Sequence, residues 1–195
     1  YRKSDVSASD TAYDETSIST QGGYLGYRFH GENIVLETGS RYDDDEQYGD
    51  FWSFNTNAVL NFSNGDSLAL GQATAFRAPT FNELYYPSYG NPDLSVERSR
   101  IWNIDYTLPL VDGSLLISCQ RALFTNQIDS TPKNIGHSEI NSLTITWEQH
   151  WSRAFSSRLI QEWLDAQDLD NDRRLARRAP RVSKAIVSYQ ANRWD

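Results

Sequence analysis

Phe76-Arg77-Ala78-Pro79-Thr80-Phe81-Asn82-Glu83-Leu84-Tyr85-Tyr86-Pro87, followed by Gly90-Asn91-Pro92-Asp93-Leu94-Ser95-Val96-Glu97, is the stretch on which the reading of this chain turns. It ends a β-type run and opens a long loop, rich in aromatics and punctuated by proline. Working outward from it, the flanking runs alternate. In 51–62, Trp52, Phe54, Thr56, Ala58, Leu60 and Phe62 share one face, and Ser53, Asn55, Asn57 and Asn61 the other. In 101–108, Trp102, Ile104, Tyr106 and Leu108 oppose Asn103, Asp105 and Thr107. In 182–190, Ala185, Val187 and Tyr189 oppose Lys184, Ser188 and Gln190. A period of two built from aromatic and β-branched residues marks strands. About nine are expected, near 20–29, 33–43, 51–62, 66–77, 98–109, 113–127, 138–150, 155–166 and 181–191, and no helix is required.

The connections expected between these strands alternate in length. His30-Gly31-Glu32, Ser63-Asn64-Gly65-Asp66, Val111-Asp112-Gly113 and Trp151 to Phe155 are short. Asp43 to Asp50, Pro79 to Ser99, Asp129 to His137 and Gln167 to Arg181 are longer. Asn-Gly and Asp-Gly favour tight hairpins. Tight turns at one end and extended loops at the other fit an up-and-down transmembrane barrel. On this pattern 33–43, 66–77, 113–127 and 155–166 run outward, and 1–19 form an outer loop with a strand remnant. No apolar run of eighteen residues occurs, which excludes a transmembrane helix; a barrel strand needs only ~9–11 residues.

The bulk properties narrow the function classes. The chain has 195 residues, a net charge of −8, one cysteine and no methionine. An acidic chain lacks the basic field that neutralises phosphates, so no nucleic-acid partner is expected. Cys119 alone cannot form an intrachain disulfide. His30, His137 and His150 are far apart in sequence. No nucleophile–base pair or glycine-rich phosphate loop stands out, and no enzyme activity is expected.

The opening stretch closely resembles a signature in the barrel of TonB-dependent outer-membrane receptors, and is most similar to their cobalamin (vitamin B12) branch. Arg41-Tyr42-Asp43-Asp44, Asn134-Ile135-Gly136 with Glu139-Ile140-Asn141, and Asp165-Ala166 with Arg173-Arg174-Leu175-Ala176-Arg177-Arg178-Ala179-Pro180 resemble further blocks of that family, in the same order. The resemblance implies an all-β, antiparallel up-and-down transmembrane β-barrel, of which residues 1–195 are a partial domain: about nine strands of a larger barrel of about 22. It implies a Gram-negative outer-membrane receptor for uptake of a scarce ligand, energised by TonB through a plug expected to lie outside this chain. Cobalamin or a similar large ligand, outer-membrane lipid and lipopolysaccharide are the implied partners. A siderophore or haem receptor barrel is the alternative, as is a soluble or engineered β-protein derived from such a barrel.

Specific residues carry further expectations. Phe81, Tyr85, Tyr86 and Tyr89, with Asn82 and Asn91, offer aromatic faces and hydrogen bonds to a large ring system at the barrel mouth; the alternative is a loop held by its own aromatic packing. Asp43, Asp44, Asp45 and Asp50 are candidate calcium ligands, or a solvated acidic loop. Apart from calcium, no cofactor is expected. Asp168-Leu169-Asp170-Asn171-Asp172 imitates the start of an EF-hand but has Arg173 where glycine belongs. Arg173, Arg174, Arg177 and Arg178 either meet lipopolysaccharide phosphates, line the lumen or pair with Asp165, Asp168 and Asp170. Arg41, Glu37 and Asp105 are expected in the lumen, and Leu36, Trp102 and Ile104 against lipid. Gln72, Gln120 and Gln161 fall on lipid-facing positions, so they lie at the membrane rim, the sequence has been altered there, or the register is shifted.

Overall fold

A computed structural model describes residues 2–5 and 17–190. Eleven strands form a single antiparallel sheet: β1 (Arg2–Asp5), β2 (Ser17–His30), β3 (Ile34–Asp45), β4 (Gly49–Asn61), β5 (Ser67–Arg77), β6 (Glu97–Leu110), β7 (Gly113–Ile128), β8 (Asn134–His150), β9 (Phe155–Asp168), β10 (Arg173–Arg174) and β11 (Arg181–Tyr189). Neighbours in sequence pair in order, and β11 and the short β10 both pair with β9. The described residues form an open run of strands. Part of the outer loop expected over 1–19 lies outside the described residues.

The register sorts side chains onto two unlike faces. Leu36 pairs with Phe29 and Ala58, Leu70 with Ala58 and Ile104, and Ile117 with Tyr106 and Ile145. Trp52 follows Tyr42 on this apolar face, their rings 5.1 Å apart. The other face carries Glu37 against Arg28, Arg41 against Asp43, Asn103 against Asp105, and Arg158 against Glu148. Arg41, Glu37 and Asp105 thus lie opposite Leu36, Trp102 and Ile104.

No core forms between layers, because there is only one layer. Only seven apolar residues are buried among the described ones, and Leu84, Leu94 and Ile128 cluster at the long-loop end. Leu25, Trp52, Phe54 and Ile104 are at least half exposed. An apolar face this continuous needs a covering that water does not supply. Aromatics concentrate near both ends of it, with Tyr42, Trp52 and Trp102 towards the long loops and Trp147, Trp151 and Phe155 towards the short turns. Such girdles mark the two interfaces of a bilayer.

Three expectations need correction. Gln120 pairs with Asn103 and Ser142 and belongs to the polar face; Cys119 takes the apolar position, opposite Ile104 and Leu143. Gln72 and Gln161 do lie on the apolar face. Gln72 sits beside Trp102, level with the girdle, and Gln161 is satisfied by Ser183 Oγ and by the carbonyls of Glu162 and Val182. The expected long loop from Asp43 to Asp50 condenses to a turn at 46–48. Asp45 holds that turn by accepting from the Gln47 and Tyr48 amides at 3.1 and 3.0 Å, so the strands continue to its edge. A helix also exists, α1 (Phe81–Tyr85).

A charge placed on the apolar face should therefore cost far more than one on the polar face. In the complete barrel, Ile104→Arg is expected to destabilise by about 2–4 kcal/mol and Ser118→Arg by much less. Denaturant unfolding in detergent or liposomes measures both, and equal effects would show the faces to be exchanged.

Candidate functional site at the long-loop end

Pro79-Thr80 starts α1 for a local reason. Thr80 is extended, with φ −74° and ψ 158°, and its Oγ accepts from the Glu83 amide at 3.3 Å. Glu83 reaches back to accept from the Thr80 amide at 2.7 Å and from the Thr80 hydroxyl at 2.9 Å. This is a capping box, satisfying donors that a helix start leaves unpaired. The spacing Thr80-x-x-Glu83 was present in the sequence and was the signal for the helix that the strand reading passed over.

Arg77 ties this helix to the sheet. From the last position of β5 it donates to both Glu83 carboxylate oxygens at 3.1 and 3.0 Å and to Glu97 at 3.4 Å. Glu97 also accepts from the Ile128 amide at 2.9 Å. One guanidinium thereby links the ends of β5 and β7, the start of β6, and α1. Burial alone would raise the Glu83 carboxyl; the Thr80 amide, the Thr80 hydroxyl and Arg77 outweigh it and hold the group below its ordinary range.

The rest of the loop is anchored to its neighbours. Leu84 and Leu94 pack with Ile128, and Tyr48 and Tyr85 border them. Tyr48 donates to the Leu94 carbonyl at 3.1 Å. Burial, then the neighbouring Tyr85, Asp45 and Glu83, push its hydroxyl up to about 12, so it remains a donor. Tyr85 donates to Gln47 at 3.2 Å, Tyr89 to the Ser130 carbonyl at 2.6 Å, and Asn91 to the Pro132 carbonyl at 3.1 Å. Asn134 bridges Ser95 and Asn126. Gly90 lies so close to the helix end that a Cβ there would come within 2.5 Å of the Leu84 carbonyl oxygen.

Beneath α1 a recess of about 770 Å³ opens on the polar face, lined by Arg41, Asp43, Tyr48, Arg77, Phe81 and Asn82 among others. Of the six expected ligand contacts, the structure brings Phe81 and Asn82 to this recess. Tyr85, Tyr89 and Asn91 hold the loop together, and Tyr86 is exposed beside Tyr89, with ring centroids 6.3 Å apart. Arg41 and Asp43, which sequence reasoning did not include among the ligand contacts, join the wall as a bidentate pair at 2.7 and 2.6 Å. Their alternation with Tyr42 was the available signal.

The acidic residues are not gathered as expected. Asp43 and Asp45 point to the polar face and are buried against Arg41 and Thr20, while Asp44 and Asp50 face each other across the strands on the opposite side. Strand alternation divides the four carboxylates. Among the described residues, no group of three or more His, Cys, Asp or Glu could hold a metal ion. At the next loops, Asp168 plays the part Asp45 plays in its own turn. It accepts from the Asp170 and Asn171 amides and from Arg173 at 2.9 Å, so Arg173 pairs with an aspartate of its own loop.

Comparison with known proteins places these features in a group. A family model for the TonB-dependent receptor-like β-barrel matches residues 1–195. The vitamin B12 transporter BtuB of Vibrio vulnificus is 29% identical over 96% of this chain, and that of Photobacterium profundum is 29% identical over 100% of it. The chain spans 32% and 34% of those relatives' lengths. Among solved structures, the ferric enterobactin receptor PfeA of Pseudomonas aeruginosa superimposes with a TM-score of 0.74 at 16% identity, covering 92% of this chain and 32% of that one. The siderophore receptor PirA of the same organism gives 0.70 at 19% identity, covering 77% and 32%. These structural likenesses speak to the fold.

The cap and its Arg77 link make the helix pH-sensitive in a defined direction. A carboxyl whose folded-state value is lowered contributes stability fully above its unfolded value, about 4.3 for glutamate, and loses it as pH falls through the folded value. Hydrogen exchange at the Leu84 amide, bonded to the Thr80 carbonyl at 3.1 Å, should hold steady from neutral pH and accelerate only below that range. Glu83→Gln should abolish the acid dependence, and Thr80→Ala should cost about 1 kcal/mol of local protection at neutral pH. Unchanged protection in both variants would refute the cap's role.

Proposed function

Because this chain belongs to the TonB-dependent receptor β-barrel family, whose barrels lie in the outer membrane of Gram-negative bacteria, we propose that it forms one wall of a ligand entrance in an importer barrel and that the ligand is a corrinoid. The apolar face meets lipid and the polar face lines the lumen. The loop from Pro79 to Val96 stands at the outer mouth, with α1 over the lumen. Uptake in this reading draws energy from TonB through a plug outside this chain.

The observation that carries the reading is the recess under α1. It offers Phe81 as an apolar wall, Asn82 as donor and acceptor, and the Arg41–Asp43 pair as a fixed polar edge. A large amphipathic ring system with peripheral amides suits that combination. The vitamin B12 transporters aligned along nearly the whole chain favour a corrinoid over an iron chelate.

Binding should be measured on the complete receptor. Phe81→Ala with Asn82→Ala is expected to weaken cobalamin binding about tenfold, or about 1.4 kcal/mol. Tyr85→Ala with Tyr86→Ala should act by loosening the loop, and so also reduce exchange protection at Leu84. A complete receptor that binds an iron chelate and not cobalamin would end the ligand assignment and leave the family intact. The orientation has a separate check: a cysteine introduced by Ser88→Cys should react with an impermeant reagent on intact cells, and labelling only after the outer membrane is breached would invert the barrel.

A further inference from the structure

The charges on the wall of the recess under α1 are already engaged. Among the described residues, its lining carries two guanidiniums, Arg41 and Arg77, and two carboxylates, Asp43 and Asp45. Arg77 meets Glu83 at 3.0 Å and Glu97 at 3.4 Å. Asp45 accepts from the Thr20 hydroxyl at 2.8 Å and from the Gln47 and Tyr48 amides. Arg41 donates to Asp43 from Nε at 2.7 Å and from Nη2 at 2.6 Å. Asp44 and Asp50 face each other on the opposite side of the sheet, and Glu46 accepts from the Ser19 amide and hydroxyl. Four carboxylates thus surround two guanidiniums, and neither cation is left over for an anionic ligand.

The Arg41–Asp43 pair is built into the register. Residues two apart share one face of a strand, and Gly22 of β2 lies directly opposite Asp43. A Cβ on Gly22 would come within 2.3 Å of Asp43 Oδ1, 2.8 Å of Arg41 Nη2 and 2.9 Å of the Tyr42 carbonyl oxygen. Only glycine there leaves room for the pair, whose charged atoms lie over it. The Asp43 side chain is 5% exposed and that of Arg41 51%. The recess therefore meets the guanidinium, with its charge cancelled by the carboxylate buried against it. A guanidinium carries five N–H donors and this carboxylate takes two, so donors remain for an uncharged carbonyl oxygen.

We propose, resting on the reading of this recess as the ligand entrance, that Gly22, Arg41 and Asp43 set the charge class of the ligand. The recess takes a ligand whose periphery is uncharged and rich in amides, and it rejects one whose periphery carries carboxylates or other anions. Arg41 supplies hydrogen bonds to neutral oxygens. The excess of carboxylates repels an anion, and Asp43 denies it the one exposed cation. Selectivity of this kind comes from the repulsive element as much as from the attractive one. Asp43 and Gly22 act through Arg41, as positioning residues.

The test uses the complete receptor in detergent and two probes that share one ring: cobalamin, and cobalamin whose peripheral propionamides have been hydrolysed to propionates. Wild type is expected to bind the carboxylate form about tenfold more weakly at low salt, because like charges brought together in an interface are costly. Added salt should shrink that gap by screening. Asp43→Asn, which leaves Arg41 its charge, is expected to close most of the gap, and Gly22→Ala, which displaces the pair, to narrow it. Asp50→Asn removes a carboxylate from the opposite side and should leave the ratio as in wild type. If Asp43→Asn fails to fold, Gly22→Ala and the wild-type salt dependence are read instead. Equal binding of the two probes by wild type, a gap that ignores salt, an Asp43→Asn receptor that keeps full discrimination, or an Asp50→Asn receptor that loses it would each overturn the assignment. A wild type that binds neither corrinoid ends the corrinoid reading alone. The charge rule is then read with an uncharged ferric trihydroxamate against a trianionic ferric tris-catecholate. Preference for the uncharged chelate upholds it, preference for the catecholate overturns it, and binding of none of these ligands overturns both readings.

Discussion

Arg77 is the constraint on which the outer end of this structure depends. It lies at the last residue of β5, where the sheet would otherwise release an unsupported loop. Its guanidinium holds Glu83 of α1 and Glu97 of β6 together, two carboxylates that would repel each other without it. Glu83 in turn caps the helix, and Glu97 takes the Ile128 amide at the end of β7. Exposed ion pairs are individually worth only about 0.2–1 kcal/mol. Here the carboxylates are mostly buried and each has a second obligation to a backbone amide. Losing the cation would leave them desolvated and unpaired, which is the costly case. The small core of Leu84, Leu94 and Ile128 sits directly beside this link, so packing and charge reinforce each other.

The same arrangement explains how a single layer supports a binding surface. The strands contribute no interior of their own: one face is apolar and exposed, and the other carries paired charges. Positional precision at the mouth comes instead from cross-loop hydrogen bonds. Tyr48 reaches Leu94, Tyr89 reaches Ser130, Asn91 reaches Pro132, and Asn134 reaches Ser95. The loops therefore behave as one lid resting on the strand ends, with Phe81 and Asn82 presented to the recess.

Much of the fold was readable because a period of two is unambiguous when aromatics mark it. Trp52-x-Phe54 and Trp102-x-Ile104-x-Tyr106 put their whole strands in register, and the short turns fixed the order of pairing. Gln120 was misplaced because Cys119 and Gln120 are neighbours of similar ambiguity, and nothing local says which of them points outward; the partner strands decide. The Asp43–Asp50 segment looked like a loop from its charge alone. Pairing with β2 keeps it extended, and the side chain of Asp45 closes its turn. Of the residues in the aromatic stretch expected to meet a ligand, Tyr85, Tyr89 and Asn91 bind the protein's own loops instead. Such long-range bonds to Ser130 or Pro132 leave no trace in local sequence. The capping box at Thr80 and Glu83 did leave one.

The central claim is that Arg77 couples the helix to strand ends that are distant in sequence. Hydrogen exchange of the complete receptor carrying Arg77→Ala measures this directly. The account predicts that the amides of Leu84 and Ile128 lose protection together, while that of Ile104 in the middle of β6 is unchanged. Loss at Leu84 with full protection retained at Ile128 would contradict it, showing that the helix and the strand ends are held independently.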